Sequence, residues 1–212
     1  MINNVYFDGV DMFTQFNVIL NEKEIGTPKI KKKTINVPGR DGEIDYSEFT
    51  GNVRFDNRAI KMKFTMLNKK DVMIQASSIF DALHGERVKI IFSDDLDYYY
   101  IGRLSVDTFK VNKVLGTLTI SADCEPWKYK KSVTKRVFDV AGSKDIVLMN
   151  LNREIMPLIT STAPLTIDTQ TGSFSLSAGA RYHDGIILKK GENKLKLTGT
   201  AKVTFEYQEA RL

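Results

Sequence analysis

Cysteine is almost missing from this chain: among 212 residues there is one, Cys124. A single thiol cannot close an intramolecular disulfide, and it cannot build a thiolate metal cage within one chain. Histidine is nearly as scarce, with only His84 and His183. A nucleophilic site needs one of them beside an activated Ser or Cys and an orienting acid. No nucleophile elbow, phosphate loop or histidine-rich zinc motif occurs. No apolar run approaches the ~18–20 residues that cross a bilayer, and the opening "MINNVYFDGV" has no signal-peptide core. The expectation is a chain made in the cytoplasm of its cell, outside membranes, with no cofactor, no metal site and no catalytic residues.

A dominant charge is missing too. The net charge of +5 divides into 20 basic and 18 acidic groups over residues 1–131, and 11 and 8 over residues 132–212. A nucleic-acid binder concentrates its positive charge, so tight nucleic-acid binding is not expected. The one basic run, Lys31-Lys32-Lys33, sits between Ile30 and Ile35. It reads as a solvated strand edge blunted by lysines.

What is present is β patterning. Ile60, Met62, Phe64 and Met66 alternate with polar residues, as do Leu118, Ile120 and Ala122, the period of a half-buried strand. Val88–Phe92 is more apolar and reads as a strand buried on both faces. One helix is expected, in "NKKDVMIQASSIFDALHGE", with Val72, Ala76, Ile79, Phe80 and Leu83 as its apolar stripe, Asn68 or Asp71 as its cap and Gly85 as its stop. His84 falls at its C-terminus, where a positive imidazole suits the helix dipole. After Pro126 the texture changes. Short β signals follow closely ("IVLMN", "MPLITS", "LTID", "SFSLS", "GIIL", "NKLKL", "KVTFEY"), and about eight short strands in about 80 residues read as a small β-sandwich or jelly roll. The expected domains are 1–131 and 132–212.

The stretch "VPGRDGEIDYSEF" imitates the second half of an EF-hand loop, with Asp41, Gly42, Asp45 and Glu48. The first and third ligand positions fall on Val37 and Gly39, which offer no side-chain oxygen. The flanks are β-branched, and Pro38 forbids a smooth helix. The stretch reads instead as a strand ending at Val37, turns on Pro38-Gly39 and Asp41-Gly42, and a further extended segment.

The same stretch opens a series of motifs. "VPGRDGEIDYSEFTG" precedes "NRAIKMKFTML", the helix ending in His-Gly, the acidic turn leading into "YYYIGRL", and "ADCEPWKYK"; the chain closes on "VTFEYQEARL". In this order the chain resembles the distal tail protein family of long, non-contractile-tailed bacteriophages, over nearly its whole length. The resemblance implies a mainly β fold: an N-terminal ring-forming β-sandwich or split barrel with one α-helix, and a C-terminal galectin-like β-sandwich of jelly-roll type. It implies a virion protein at the tail tip, a homohexameric ring joining the tail tube protein to the tail-tip (tail-associated) protein. It also implies outward contacts with a receptor-binding protein or a host cell-wall sugar.

Such a ring uses a heterologous interface, so each copy offers two different complementary patches. Lys29–Arg58 has the turn residues and mixed charge of an arm reaching a neighbour, with Pro38, Gly39, Arg40, Asp41, Gly42 and Glu48 as candidate inter-subunit residues. Two rival readings stand beside this one. In the first, the second domain is a carbohydrate-binding adhesion module with Tyr182, His183 and Asp184 as a candidate ligand loop, since Tyr182 has polar company while Phe205 and Tyr207 fit a core phase. In the second, the chain is a hydrolase with a degenerate motif. Asp94, Asp95 and Asp97 read as a hairpin turn, with a divalent cation between two of them as the alternative.

Overall fold

The computed structural model describes residues 3–49, 51–66, 72–112 and 115–212. The chain divides into two compact units, Met1–Lys128 with Leu212, and Tyr129–Arg211.

The first unit begins with β1 (Val5–Phe7), β2 (Val10–Asp11), α1 (Met12–Phe16) and β3 (Val18–Ile25). The exposed ribbon of β4 (Thr34–Asn36) and β5 (Glu43–Asp45) follows. Then come β6 (Arg58–Met66), α2 (Val72–Leu83), β7 (Arg87–Phe92), β8 (Tyr98–Asn112) and β9 (Leu115–Cys124). Seven strands form one antiparallel path in the order β2-β1-β7-β8-β9-β6-β3. Alternation gives the path one inward face. Ile60, Met62, Phe64 and Met66 of β6 pack with Leu118, Ile120 and Ala122 of β9, and with Val88, Ile90 and Phe92 of β7, in a single core. Side chains from every strand except β2 reach that core, together with Met12, Ile79 and Leu83 from the two helices.

Several expectations are corrected here. β7 is buried on one face, not two: Lys89 is exposed and Ile91 half-buried. The α2 stripe is narrower than its spacing suggests, because Phe80 points outward at 45% exposure and stacks on His84, with ring centroids 4.4 Å apart. The Asn68 and Asp71 caps lie outside the described residues. The stop is as read: Gly85 has φ +86°, and the His84 amide closes the last turn on Phe80 O at 2.9 Å. α1 is an additional helix of five residues, too short to show a period. Asp11 caps it by accepting the Thr14 amide at 3.0 Å, and this holds the Asp11 carboxyl below its usual range: burial opposes, while the Asn4 side chain and the α1 amides outweigh it.

The second unit contains most of β10 (Lys128–Lys130), which runs through the boundary, then β11 (Thr134–Asn150), β12 (Leu158–Ser161), β13 (Leu165–Thr169), β14 (Gly172–Leu176), β15 (Gly179–Arg181), β16 (Gly191–Tyr207) and β17 (Ala210–Arg211). Two of its strands are much longer than the short signals suggest. β11 and β16 are each 17 residues long and pair without interruption from Thr134↔Tyr207 to Asn150↔Gly191. "IVLMN", "NKLKL" and "KVTFEY" are therefore parts of two strands. Gly142 and Gly199 look like breaks in the sequence, but they face each other across the ladder, with φ of +88° and +146°. Both strands thus take a left-handed residue at the same rung, a conformation that glycine permits. β12 pairs with β16 after this rung, along Val203–Glu206, and β13 before it, along Lys196–Gly199. Residues on both sides of the rung join one core, Leu195 and Leu197 before it and Val203 and Phe205 after it. "GIIL" is no strand; it contributes the isolated bridge Ile155↔Leu188.

Glycine has a steric role at Gly102 in β8. A Cβ there would lie 2.4 Å from Cys124 Sγ and 3.1 Å from Cys124 Cα. Gly102→Ala is expected to destabilise the first unit by about 1–3 kcal/mol, read as a lowered thermal midpoint with the β signature retained.

Candidate functional site

The ribbon of β4 and β5 belongs to neither core. Its register sets Ile35 opposite Ile44, with Thr34 facing Asp45 and Asn36 facing Glu43. Opposed residues share a face, so the ribbon has one apolar face, extended along each strand by Val37 and Tyr46. That face is uncovered by the rest of the chain: Ile35 is 51% exposed and Ile44 38%. The turn joining the strands holds the expected residues. Gly39 and Gly42 take φ of +79° and +75°, which suits glycine, and the Arg40 amide donates to Val37 O at 3.2 Å. Pro38, Arg40, Asp41 and Glu48 are all exposed.

The open end of the ribbon is pinned by Ser47. Its amide and hydroxyl donate to Asp45 Oδ1 at 2.9 and 2.6 Å, and its hydroxyl accepts the Lys33 amide at 2.8 Å. The Ser47 hydroxyl, then its amide, holds the Asp45 carboxyl below its usual range. The root is tied by the bridge Ile30↔Phe55. Phe55 meets the edge of Trp127, with centroids 5.7 Å apart and planes at 85°. Between ribbon and root, Ile30, Lys32, Tyr46, Phe49 and Val53 line a shallow groove of about 490 Å³. Phe49 is the most exposed large apolar side chain among the described residues, at 87%. The segment is thus an arm with a stapled root, a fixed turn and apolar side chains with no cover. Lys31–Lys33 lie before β4 rather than within a strand.

Tyr182, His183 and Asp184 lie on the loop after β15. Tyr182 is 65% exposed and Asp184 is exposed. His183 is committed to the loop itself: Nδ1 accepts the Gly185 amide at 3.1 Å, and the ring lies 4.8 Å from Phe174. Phe205 and Tyr207 are core, and Tyr207 Oη donates to Met149 O at 2.6 Å. Burial, then Glu209, raises the Tyr207 phenol above its ordinary value.

Asp94, Asp95 and Asp97 form the turn between β7 and β8, closed by the Asp95 amide on Phe92 O at 3.0 Å and the Tyr98 amide on Asp95 O at 3.3 Å. Two of the three are taken by lysines. Asp94 pairs with Lys23, whose ammonium also sits 4.4 Å over the Phe92 ring. Asp95 pairs with Lys128 at 2.7 Å. Among the described residues no group of three or more His, Cys, Asp or Glu could hold a metal ion. His84 lies at the end of α2, where its Nδ1 accepts the Val106 amide at 3.2 Å. Cys124 is fully buried. Burial, reinforced by Asp123 and Glu125, pushes its thiol up to about 12, so it carries negligible thiolate at neutral pH.

Residues 7–124 match the phage tail protein RIFT-related domain family. Among solved structures, the chain is similar to the crystal structure of the Dit protein of phage SPP1, described as a paradigm of the hub adsorption apparatus in phages that infect Gram-positive bacteria. The identity is 19% and the TM-score 0.73, over 100% of both chains. No curated protein matches the chain at a significant level.

Two measurements check the side-chain assignments. A thiol reagent at pH 8 should leave native Cys124 essentially unlabelled and react stoichiometrically in denaturant; rapid native labelling contradicts the burial. The Lys23 hydrogen bond is the main cause holding the Asp94 carboxyl below its usual value. A depressed folded value means stability present above the unfolded value of about 3.9 and lost as pH falls through the folded one. In an NMR titration, Lys23→Met should move Asp94 up toward the ordinary range. The cost at pH 7 should be under about 1 kcal/mol, because the pair is open to solvent.

Proposed function

Because the chain belongs to the phage tail protein RIFT-related domain family, we propose that it is a distal tail protein: a structural hub of the tail tip that works by assembly, not turnover. Six copies form a closed ring between the end of the tail tube and the tail-tip protein. The first unit builds the ring, and the second, a galectin-like sandwich, faces outward toward receptor-binding components. The full-length likeness to a hub protein supports this reading, but one feature of the chain itself carries it. The Ile30–Phe55 arm holds its own backbone in register and leaves its apolar face without cover.

An isolated two-stranded ribbon is marginal in water, and exposed contiguous apolar surface marks an interaction site. A partner that covers Ile35, Ile44 and Phe49 resolves both problems at once. In a ring that partner is the next copy, because a heterologous contact repeated around an axis needs a projecting patch and a receiving patch on each chain. The near balance of charge in the first unit suits a lumen through which DNA passes without being held. The Cys124 thiol is packed in the core, and both imidazoles accept backbone amides.

Light scattering on the purified protein tests the assembly. Six chains of 24.0 kDa give about 144 kDa, and class-averaged electron micrographs should show six-fold rings. Replacing residues 31–54 by a short Gly-Ser linker should yield a folded species of single-chain mass. A wild-type chain that stays single at high concentration overturns the proposal.

A further inference from the structure

The second leg of the arm enters the first unit through Phe55, Asn57 and Arg58, and all three grip one segment, Asp123–Trp127. Phe55 meets the Trp127 ring edge-on. Asn57 Nδ2 donates to Asp123 Oδ2 at 2.9 Å. Arg58 Nη2 donates to Pro126 O at 2.5 Å, and its guanidinium lies 5.4 Å from the centroid of the Tyr100 ring. The first leg is carried along, because the Asp56 amide donates to Lys29 O and the Lys31 amide to Arg54 O, each at 2.8 Å.

Arg58 is the unexpected member of this grip. It opens β6 at an inward position, in phase with Ile60, Met62, Phe64 and Met66, and it is 6% exposed. Alternation alone would put an apolar residue there. Among the described residues it has no ion pair, and its Nε is buried without a hydrogen-bond partner. A buried cation held in this way costs stability, and a hydrophobic side chain of similar volume in its place is often neutral or stabilising. Stability therefore does not account for the residue. Its place does: it ties the first rung of β6, where Arg58 faces Cys124, to the backbone just beyond β9.

We propose that Arg58 anchors the arm: its bond to Pro126 O, with the Asn57 and Phe55 contacts beside it, fixes the direction in which the Ile30–Phe55 arm leaves the first unit, and its buried charge is kept for that direction rather than for stability. Arg58 is buried at the root and acts through the arm, so it is a positioning residue. The inference rests on the ring reading, in which the arm reaches the next copy. An arm aimed before contact loses less freedom on binding, and such preorganisation appears as affinity.

Time-resolved energy transfer tests it in dilute single chains, from Trp127, the only tryptophan, to an acceptor on Asp41→Cys at the arm's turn. Cys124 is buried and stays unlabelled. The parent chain should give one narrow distance distribution. Arg58→Met should broaden it without lowering the melting temperature. Without the label, Arg58→Met should need about tenfold or more higher concentration to form rings. Asn57 is exposed, so Asn57→Ala disturbs no core and should broaden the distribution in the same direction. An Arg58→Met chain that folds but melts lower, keeps the narrow distribution, or forms rings at the parent concentration overturns the proposal. If that chain does not fold, Asn57→Ala decides: a narrow distribution overturns the anchor and a broadened one supports it. A parent chain that makes no ring overturns the ring reading, and the distance distributions then judge the anchor alone.

Discussion

A sheet with one apolar face must cover that face, and the way this chain meets the requirement organises everything else. In the first unit six of the seven paired strands turn apolar alternates into one core, helped by α1 and α2. In the second, two 17-residue strands pair along their whole length and contribute to a single core from both halves. The ribbon of β4 and β5 alone does not meet it. Its two strands pair only with each other, so Ile35 and Ile44 have no layer above them. The chain thus satisfies the constraint twice within itself and leaves it unmet at one stapled arm.

The groups that usually carry chemistry reinforce this picture by their employment. Cys124 lies against Gly102, so closely that an added Cβ on the glycine would meet its sulfur. His84 and His183 each turn Nδ1 onto a backbone amide and lay the ring on a phenylalanine. His183 thereby staples its own loop, and His84 ties the end of α2 to β8. The acidic cluster at Asp94–Asp97 is a hairpin whose carboxylates meet lysines from β3 and from the segment after β9.

Much of this was legible from residue patterns. Period-2 alternation located β6 and β9, and the turn chemistry of Pro38-Gly39 and Asp41-Gly42 located the ribbon, because side-chain polarity and φ preference are local properties. The order of motifs pointed to the family. What misled was also local. "IVLMN", "NKLKL" and "KVTFEY" read as separate short strands, and only the pairing of β11 with β16 shows that they belong to two long ones. Phe80 fits the helical stripe but lies on its edge, and its exposure was decided by the stack on His84. The five-residue α1 left no periodic trace, yet it supplies Met12 to the core.

The sequence by itself determined the β character and the arm with its turn residues, since both follow from residue types and their spacing along the chain. Tertiary structure alone decided which apolar side chains are covered. Ile35, Phe49 and Val10 are no less hydrophobic than Ile60 or Phe64. They differ in whether another layer of the fold lies over them, and that depends on strand pairing between residues far apart in the chain.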